Sequence, residues 1–256
     1  MTDLTGKRGL VLGIANDASI AAGCAAAFRA AGAEVAVTSL NEKSRHFVGP
    51  VAERLGCSPV LDCDVREPGQ LEAVFAALDA QWGGLDFLLH SIAFAPREDL
   101  HGRVTDCSAA GFAMAMDVSV HSFIRCARLA EPLMRKRGGG TLLTVSFYGS
   151  ERVVEHYNLM GPVKAALESV TRYLAAELGP AGIRVHAISP GPIATRAASG
   201  IDRFDAMMER AAASVPALGL ARIEDVGAAA AFLASDGAAR LNGLVLPVDG
   251  GQHILA

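Results

Sequence analysis

Short apolar runs alternate with longer stretches of helical periodicity along almost the whole chain. The apolar runs predict strands at 8–12, 34–38, 59–62, 87–90, 141–146, 184–189 and 244–248. Several of these runs are continuously apolar, the pattern of strands covered on both faces. Helical spacing predicts helices over 20–31, 67–81, 118–137, 158–178 and 224–235. Strand and helix in strict alternation build right-handed βαβ units on an open parallel sheet. Gly138-Gly139-Gly140 separates a helix from the next strand, and no linker, repeat or low-complexity block divides the chain. The expectation is an α/β fold: one doubly wound, Rossmann-like domain over 1–256 with a parallel, seven-stranded sheet.

Composition narrows the function. The 256 residues suit one large domain. Charged residues make up 20% of the chain and the formal net charge is −4, so no strong field draws nucleic acid. Apolar residues reach 51%, much of it alanine, yet Arg, Asp or Glu interrupts every run before it could span a bilayer. The N-terminal residues lack a signal-peptide pattern. Five cysteines form no Cys-x-x-Cys pair and read as thiols in a reducing compartment, so a cytoplasmic protein is expected. No His-Glu-x-x-His spacing, Gly-x-Ser-x-Gly elbow or P-loop is present, and no metal is expected.

The candidate chemistry lies at the carboxyl ends of the predicted strands, where open α/β sheets bind ligands. Gly13 leaves the first strand and is followed, six and seven residues on, by Ser19 and Ile20 at the start of an alanine-rich helix. Glycine there permits a tight turn and close approach of a diphosphate, with the helix N-terminus beyond it. The pattern falls short of a full G-x-G-x-x-G, and an ordinary βα turn with Ser19 as N-cap explains it equally. Beyond the second strand stand Leu40, Asn41 and Glu42, with no acid at the strand tip and no arginine directly after it. NADH is therefore preferred over NADPH, although Lys43 or Arg45 has the reach to fold back.

Asp64, followed by Val65, is placed to accept from an adenine amino group, or else caps the helix near Glu67. Ser91, Ile92 and Ala93 let the backbone pass close to a cofactor. Ile193 offers backbone groups to a carboxamide, and Thr195 offers a hydroxyl to a phosphate oxygen. Tyr157 and Lys164 lie seven positions apart, almost two helical turns, which sets them on one face. A phenol beside an ammonium suits a nicotinamide enzyme, steadying an oxyanion and holding a ribose. The bland alternatives are a tyrosine packed on the sheet and a solvated helix lysine.

Together these segments resemble the short-chain dehydrogenase/reductase superfamily, and within it the NADH-dependent enoyl-acyl-carrier-protein reductases of bacteria. The resemblance is carried by Gly13 with Ser19-Ile20-Ala21, Cys63-Asp64-Val65 and His90-Ser91-Ile92-Ala93-Phe94-Ala95-Pro96. It continues in Tyr157-Asn158-x-Met160-Gly161-Pro162-x-Lys164-Ala165, in Gly191-Pro192-Ile193-x-Thr195 with Ala197-Ala198-Ser199-Gly200-Ile201, and in Val248-Asp249-Gly250-Gly251. Ordinary members of the superfamily place the lysine four residues after the tyrosine. The spacing of seven points to enoyl reduction.

The resemblance implies hydride transfer from NADH to the β-carbon of a trans-2-enoyl thioester, carried by acyl-carrier protein or coenzyme A. Tyr157 and Lys164 are the implied catalytic pair. It also implies a substrate lid near 197–213 carrying Ile201, Phe204 and Met207, with Met160 lining the same channel. An amphipathic helix packed on the domain or on another subunit reads the same pattern. Phe147 stands where many relatives carry a tyrosine; Tyr148, one residue further along a strand end, is expected to face the other way. Arg196 and Arg203 either meet an acidic carrier protein or are simply solvated. Arg135-Lys136-Arg137 more simply complements a helix C-terminus. Relatives are commonly homotetramers, and 244–248 with Ile254-Leu255 suits an interface. The rival functions are a ketone or 3-oxoacyl reductase, or an alcohol dehydrogenase, of the same superfamily, and a non-catalytic dinucleotide-binding protein.

Overall fold

The structure, a computed structural model, describes residues 2–195, 204–216 and 219–255. Its strands are β1 (Arg8–Leu12), β2 (Glu34–Ser39), β3 (Val60–Asp62), β4 (Phe87–His90), β5 (Gly140–Val145), β6 (Ile183–Pro190) and β7 (Val245–Val248). They form one parallel seven-stranded sheet in the order β3-β2-β1-β4-β5-β6-β7. The order reverses between β1 and β4, where Leu12 lies opposite His90. A crevice at the carboxyl end of such a switch point is the ligand site of doubly wound sheets.

Helices cover both faces, which is why β1 and β4 are apolar and buried along nearly their whole length. One core gathers Phe28 from α1 (Ile20–Ala30) and Val48 and Val51 from α2 (Glu42–Leu55). On the opposite face lie Leu78 from α3 (Gln70–Trp82), Phe123 and Met134 from α6 (Ser122–Lys136), and Leu167 from α7 (Met160–Leu178). A short α4 (Arg97–His101) and α5 (Ala109–Met116) precede α6. α8 (Phe204–Ser214) and α9 (Ile223–Ala234) follow β6, and Val226 and Leu233 of α9 join the first core.

Three expected helices need correction. The one predicted over 67–81 begins at Gln70, because Gly69 at its N-cap has φ +84°, outside the helical region. The one predicted over 118–137 is interrupted: a π turn at Asp117–His121 joins α5 to α6. Ser119 within that wide turn bonds Phe94 in the loop after β4, and Ser122 just beyond it bonds His90 on β4. The one predicted over 158–178 begins at Met160, because Asn158 takes a left-handed φ of +41°.

Candidate active site

The first wall of the site is the β1–β4 junction. Gly13 has φ +102°, and a Cβ there would fall 2.1 Å from the Ser91 carbonyl oxygen. Only glycine allows the two strand exits to come this close. Such a cradle, opening on the N-terminus of α1, fits a dinucleotide diphosphate. Ser19 is the N-cap of α1, accepting from Ala22 N at 3.3 Å and donating to Asn16 O at 2.7 Å, with half-buried Ile20 next to it. The cap and the cradle are compatible, since the cap uses the side chain and the cradle the backbone.

Asp64 is buried at the end of the β3 exit, beside buried Val65. Its carboxylate accepts from the Arg66 backbone N–H at 2.9 Å and from the Arg66 guanidinium at 2.7 Å. That guanidinium holds the Asp64 carboxyl below the usual carboxylate range. It does not cap α3, whose N-cap is Gly69. Beyond β2, Arg45 turns to Asp62 at 2.9 Å, and Asp62 also accepts from the Ser39 hydroxyl at 2.5 Å. Arg45 is thus drawn toward a carboxylate. Leu40 stands half exposed beside them.

The β4 exit is braced from behind. His90 is fully buried, with Nε2 2.7 Å from Ser122 Oγ and Nδ1 3.2 Å from Thr144 Oγ1. Ser122 spends its proton on Val118 O at 2.6 Å, so its oxygen accepts from His90 Nε2–H. Burial first, and then the Lys164 charge, push His90 down to about 3 from its ordinary 6.5, which keeps it neutral. Ser91 and Ile92 are half-buried and Ala93 exposed, while Ser119 accepts from Phe94 N at 3.0 Å and donates to Phe94 O at 3.2 Å. The 91–96 loop is therefore pinned at its middle.

The second wall comes from β5, the turn after it and α7. Tyr157 sits in the loop before α7 and is buried in an apolar cluster with Met160. Phe147 packs on that cluster, its ring edge-on to Tyr157 at 4.9 Å between centroids. A Cβ on Gly149 would lie 2.6 Å from Tyr157 Cδ1, so the turn backs directly on the phenol ring. Burial raises the Tyr157 pKa, keeping the hydroxyl protonated.

Lys164 Nζ donates to Val145 O at 2.7 Å. Burial lowers this ammonium from 10.5 to about 8, opposed by the charge of Glu168. Both side chains rest on the 145–149 stretch, Lys164 on Val145 O and Tyr157 on Phe147 and Gly149, with a left-handed step at Asn158 between them rather than two regular turns. Tyr148 departs from the strand alternation expected of it. β5 ends at Val145, and its ring packs 4.6 Å from Phe147.

α8 flanks this wall. It carries half-buried Phe204 and buried Met207, and Arg210 pairs with Glu155, two residues before Tyr157, at 2.8 Å. Ile193 and Thr195 leave β6 half-buried, and Ile193 packs against the α1–α9 core. Ile201, Arg196 and Arg203 lie outside the described residues. Sequence reasoning missed Glu168, Ser146 and Ser150. The carboxylate accepts both hydroxyls on one oxygen, at 2.6 Å from Ser150. The available signal was Lys164-x-x-x-Glu168, an i,i+4 pair on one helix face.

Comparison with known proteins gives one answer. A family model described as enoyl-(acyl carrier protein) reductase matches residues 13–253. The NADH-dependent enoyl-[acyl-carrier-protein] reductase 1 of Rhizobium meliloti is 45% identical over 250 residues, 98% of this chain and 91% of the relative. The Anaplasma phagocytophilum enoyl-(acyl-carrier-protein) reductase, solved in complex with NAD, superposes with a TM-score of 0.94. It is 43% identical and covers 99% of this chain and 96% of its own. The Bacillus cereus reductase, solved with NADP+ and indole naphthyridinone, gives a TM-score of 0.96 at 40% identity, with 100% of both chains covered. With its cradle at Gly13 and its buried tyrosine and lysine, the chain belongs to the enoyl-(acyl carrier protein) reductase family, oxidoreductases of the short-chain dehydrogenase/reductase superfamily.

Proposed function

We propose a division of labour among the residues of this site for the reaction of the family. The chain is an NADH-dependent enoyl-acyl-carrier-protein reductase, acting on the double bond of a trans-2-enoyl thioester. When bound, NADH supplies the hydride that reaches the β-carbon. Gly13, Ser19 and Ile20 receive the diphosphate, Asp64 and Val65 flank the adenine, and Ser91, Ile92 and Ala93 line the ribose side. Ile193 meets the carboxamide and Thr195 a phosphate oxygen.

Reduction at the β-carbon leaves negative charge on the thioester oxygen as an enolate. Tyr157, held neutral by burial, donates a hydrogen bond to that oxygen. Lys164 holds the nicotinamide ribose and keeps the local potential positive. Its tie to Val145 O leaves further N–H donors on the ammonium for that task. Among the described residues, Phe147, Met160, Phe204 and Met207 line the acyl channel, with α8 beside it. Thioether side chains there adapt to a flexible acyl chain. The assembly is a homotetramer in the cytoplasm.

What supports this reading is a buried phenol and a buried ammonium that both rest on the stretch at the end of β5, 4.9 Å from the Phe147 ring and 2.7 Å from Val145 O respectively. The test compares NADH oxidation with a trans-2-enoyl thioester and with a 3-oxoacyl thioester. Turnover of the first alone is expected, and Tyr157→Phe should lower its kcat by roughly 10²–10³. Turnover of only the 3-oxoacyl substrate, or a fully active Tyr157→Phe enzyme, would overturn the assignment.

A further inference from the structure

Glu168 is an acid with 4% exposure, one helical turn beyond Lys164. A buried carboxylate is costly unless it is bonded and paired. Here one oxygen accepts from two serines that bound a five-residue segment, Ser146 leaving β5 and Ser150 closing the turn. Three neighbours of Tyr157 and Lys164 belong to that segment or adjoin it. Val145, whose carbonyl accepts from Lys164 Nζ, precedes Ser146. Phe147 sets its ring edge-on to Tyr157, and Gly149 backs the phenol.

We propose that Glu168 is a positioning residue: its carboxylate ties both ends of the 146–150 segment to α7, and so fixes the surfaces against which Tyr157 and Lys164 are set. The inference rests on the roles given to those two residues above. The carboxylate is also electrostatically placed. Four ionisable groups surround or back Lys164: Glu168 on its own helix, Tyr157 in the preceding loop, His90 on β4 and, behind His90, Arg125 on α6. Burial keeps Tyr157 and His90 neutral, so Glu168 is the only anion of the four. Its charge opposes the burial that lowers the Lys164 pKa.

The experiment uses the full chain with NADH and a short trans-2-enoyl thioester, and measures kcat, KM, the kcat–pH profile and NADH affinity by fluorescence. Glu168→Ala loses both the tie and the charge, and kcat should fall on the order of 10²-fold, with KM for the thioester little changed. Glu168→Gln keeps an acceptor for the two hydroxyls and loses only the charge. Its kcat near neutral pH should be substantially restored, while the alkaline limb moves down by about one pH unit and NADH binding weakens in parallel above it. A merely structural role would not move that limb. Should the alanine variant fail to fold, the glutamine variant decides alone. Wild-type kcat in Glu168→Ala, or an unchanged alkaline limb in Glu168→Gln, with Tyr157→Phe and Lys164→Ala both impaired, would overturn the inference and leave the site reading intact. Full activity in Tyr157→Phe and Lys164→Ala would instead remove that reading, and the inference with it.

Discussion

The two walls of the site are held by different forces. At the β1–β4 junction the fit is steric: two strand exits touch through the hydrogen of Gly13, and neutral His90 is bonded behind them. At the β5–α7 junction the fit is electrostatic: a buried acid bonds the serine hydroxyls of the 146–150 turn, and a buried ammonium bonds Val145 O. The first wall can fail only by crowding or by forcing a proton onto its histidine. The second can fail through loss of one charge with the fold unchanged.

The sharpest break of this contrast is Gly13→Ala. The added methyl would meet Ser91 O at 2.1 Å, a backbone atom that cannot swing aside, at a φ of +102°. Left-handed strain and overpacking each cost about 1–3 kcal/mol, so a drop of roughly 2–5 kcal/mol in unfolding free energy is expected. NADH affinity should fall with it, since the cradle itself is what has been filled. Denaturant melts and fluorescence titration measure the two effects. A variant of native stability and native NADH affinity would show that the strand exits are not in contact.

Acid probes the same wall more gently. His90 is held at about 3 and His186 at about 4, against 6.5 in the unfolded chain, in both cases chiefly by burial. Both are neutral in either state above pH 6.5, so their contribution is complete there. As pH falls below 6.5 the unfolded chain takes up protons that the folded chain refuses, and stability drops until the folded values are reached. The loss is about 1.4 kcal/mol per pH unit for each histidine. Urea midpoints at pH 7.5 and 5.5 should therefore differ, and His90→Gln should remove about half of that difference. An equal pH dependence in wild type and variant would mean that His90 is solvated and titrates normally.

The same contrast explains how much the sequence could tell. The strands were readable within a residue at each end, because a covered parallel strand is simply a continuous apolar run. Gly13, Tyr157 and Lys164 stood out because few other residue types could fill the roles proposed for them. α2 was not foreseen: Gly49 and Pro50 interrupt its stripe of Val48, Val51 and Ala52, and the capping box of Asn41 with Ser44 is visible chiefly once the helix is known. The clamp of Glu168 on Ser146 and Ser150 spans 22 and 18 residues, and the hydroxyl bonds at the π turn span 25 and 32, pairings that no local period encodes. Steric motifs leave a trace in sequence; buried charge networks leave mostly ordinary serines and glutamates.

The mildest test concerns cofactor choice at the rim of the first wall. Arg45 has the reach to receive a 2′-phosphate, but the Asp62 carboxylate engages its guanidinium at 2.9 Å and adds negative charge beside β2. Both side chains are close to half exposed, at 45% and 44%, so solvent screens the pair and its worth is about 0.2–1 kcal/mol. Asp62→Asn keeps an acceptor for the Ser39 hydroxyl while releasing the arginine and removing the repulsion of a phosphate. The ratio of kcat/KM for NADPH over NADH should then rise roughly two- to fivefold, at low ionic strength more than at high. Double replacement with Arg45→Ala should cancel the gain, because the arginine is its agent. A rise that survives the loss of Arg45 would point to the carboxylate alone as the discriminating group, and no rise at all would place the 2′ position beyond the reach of both.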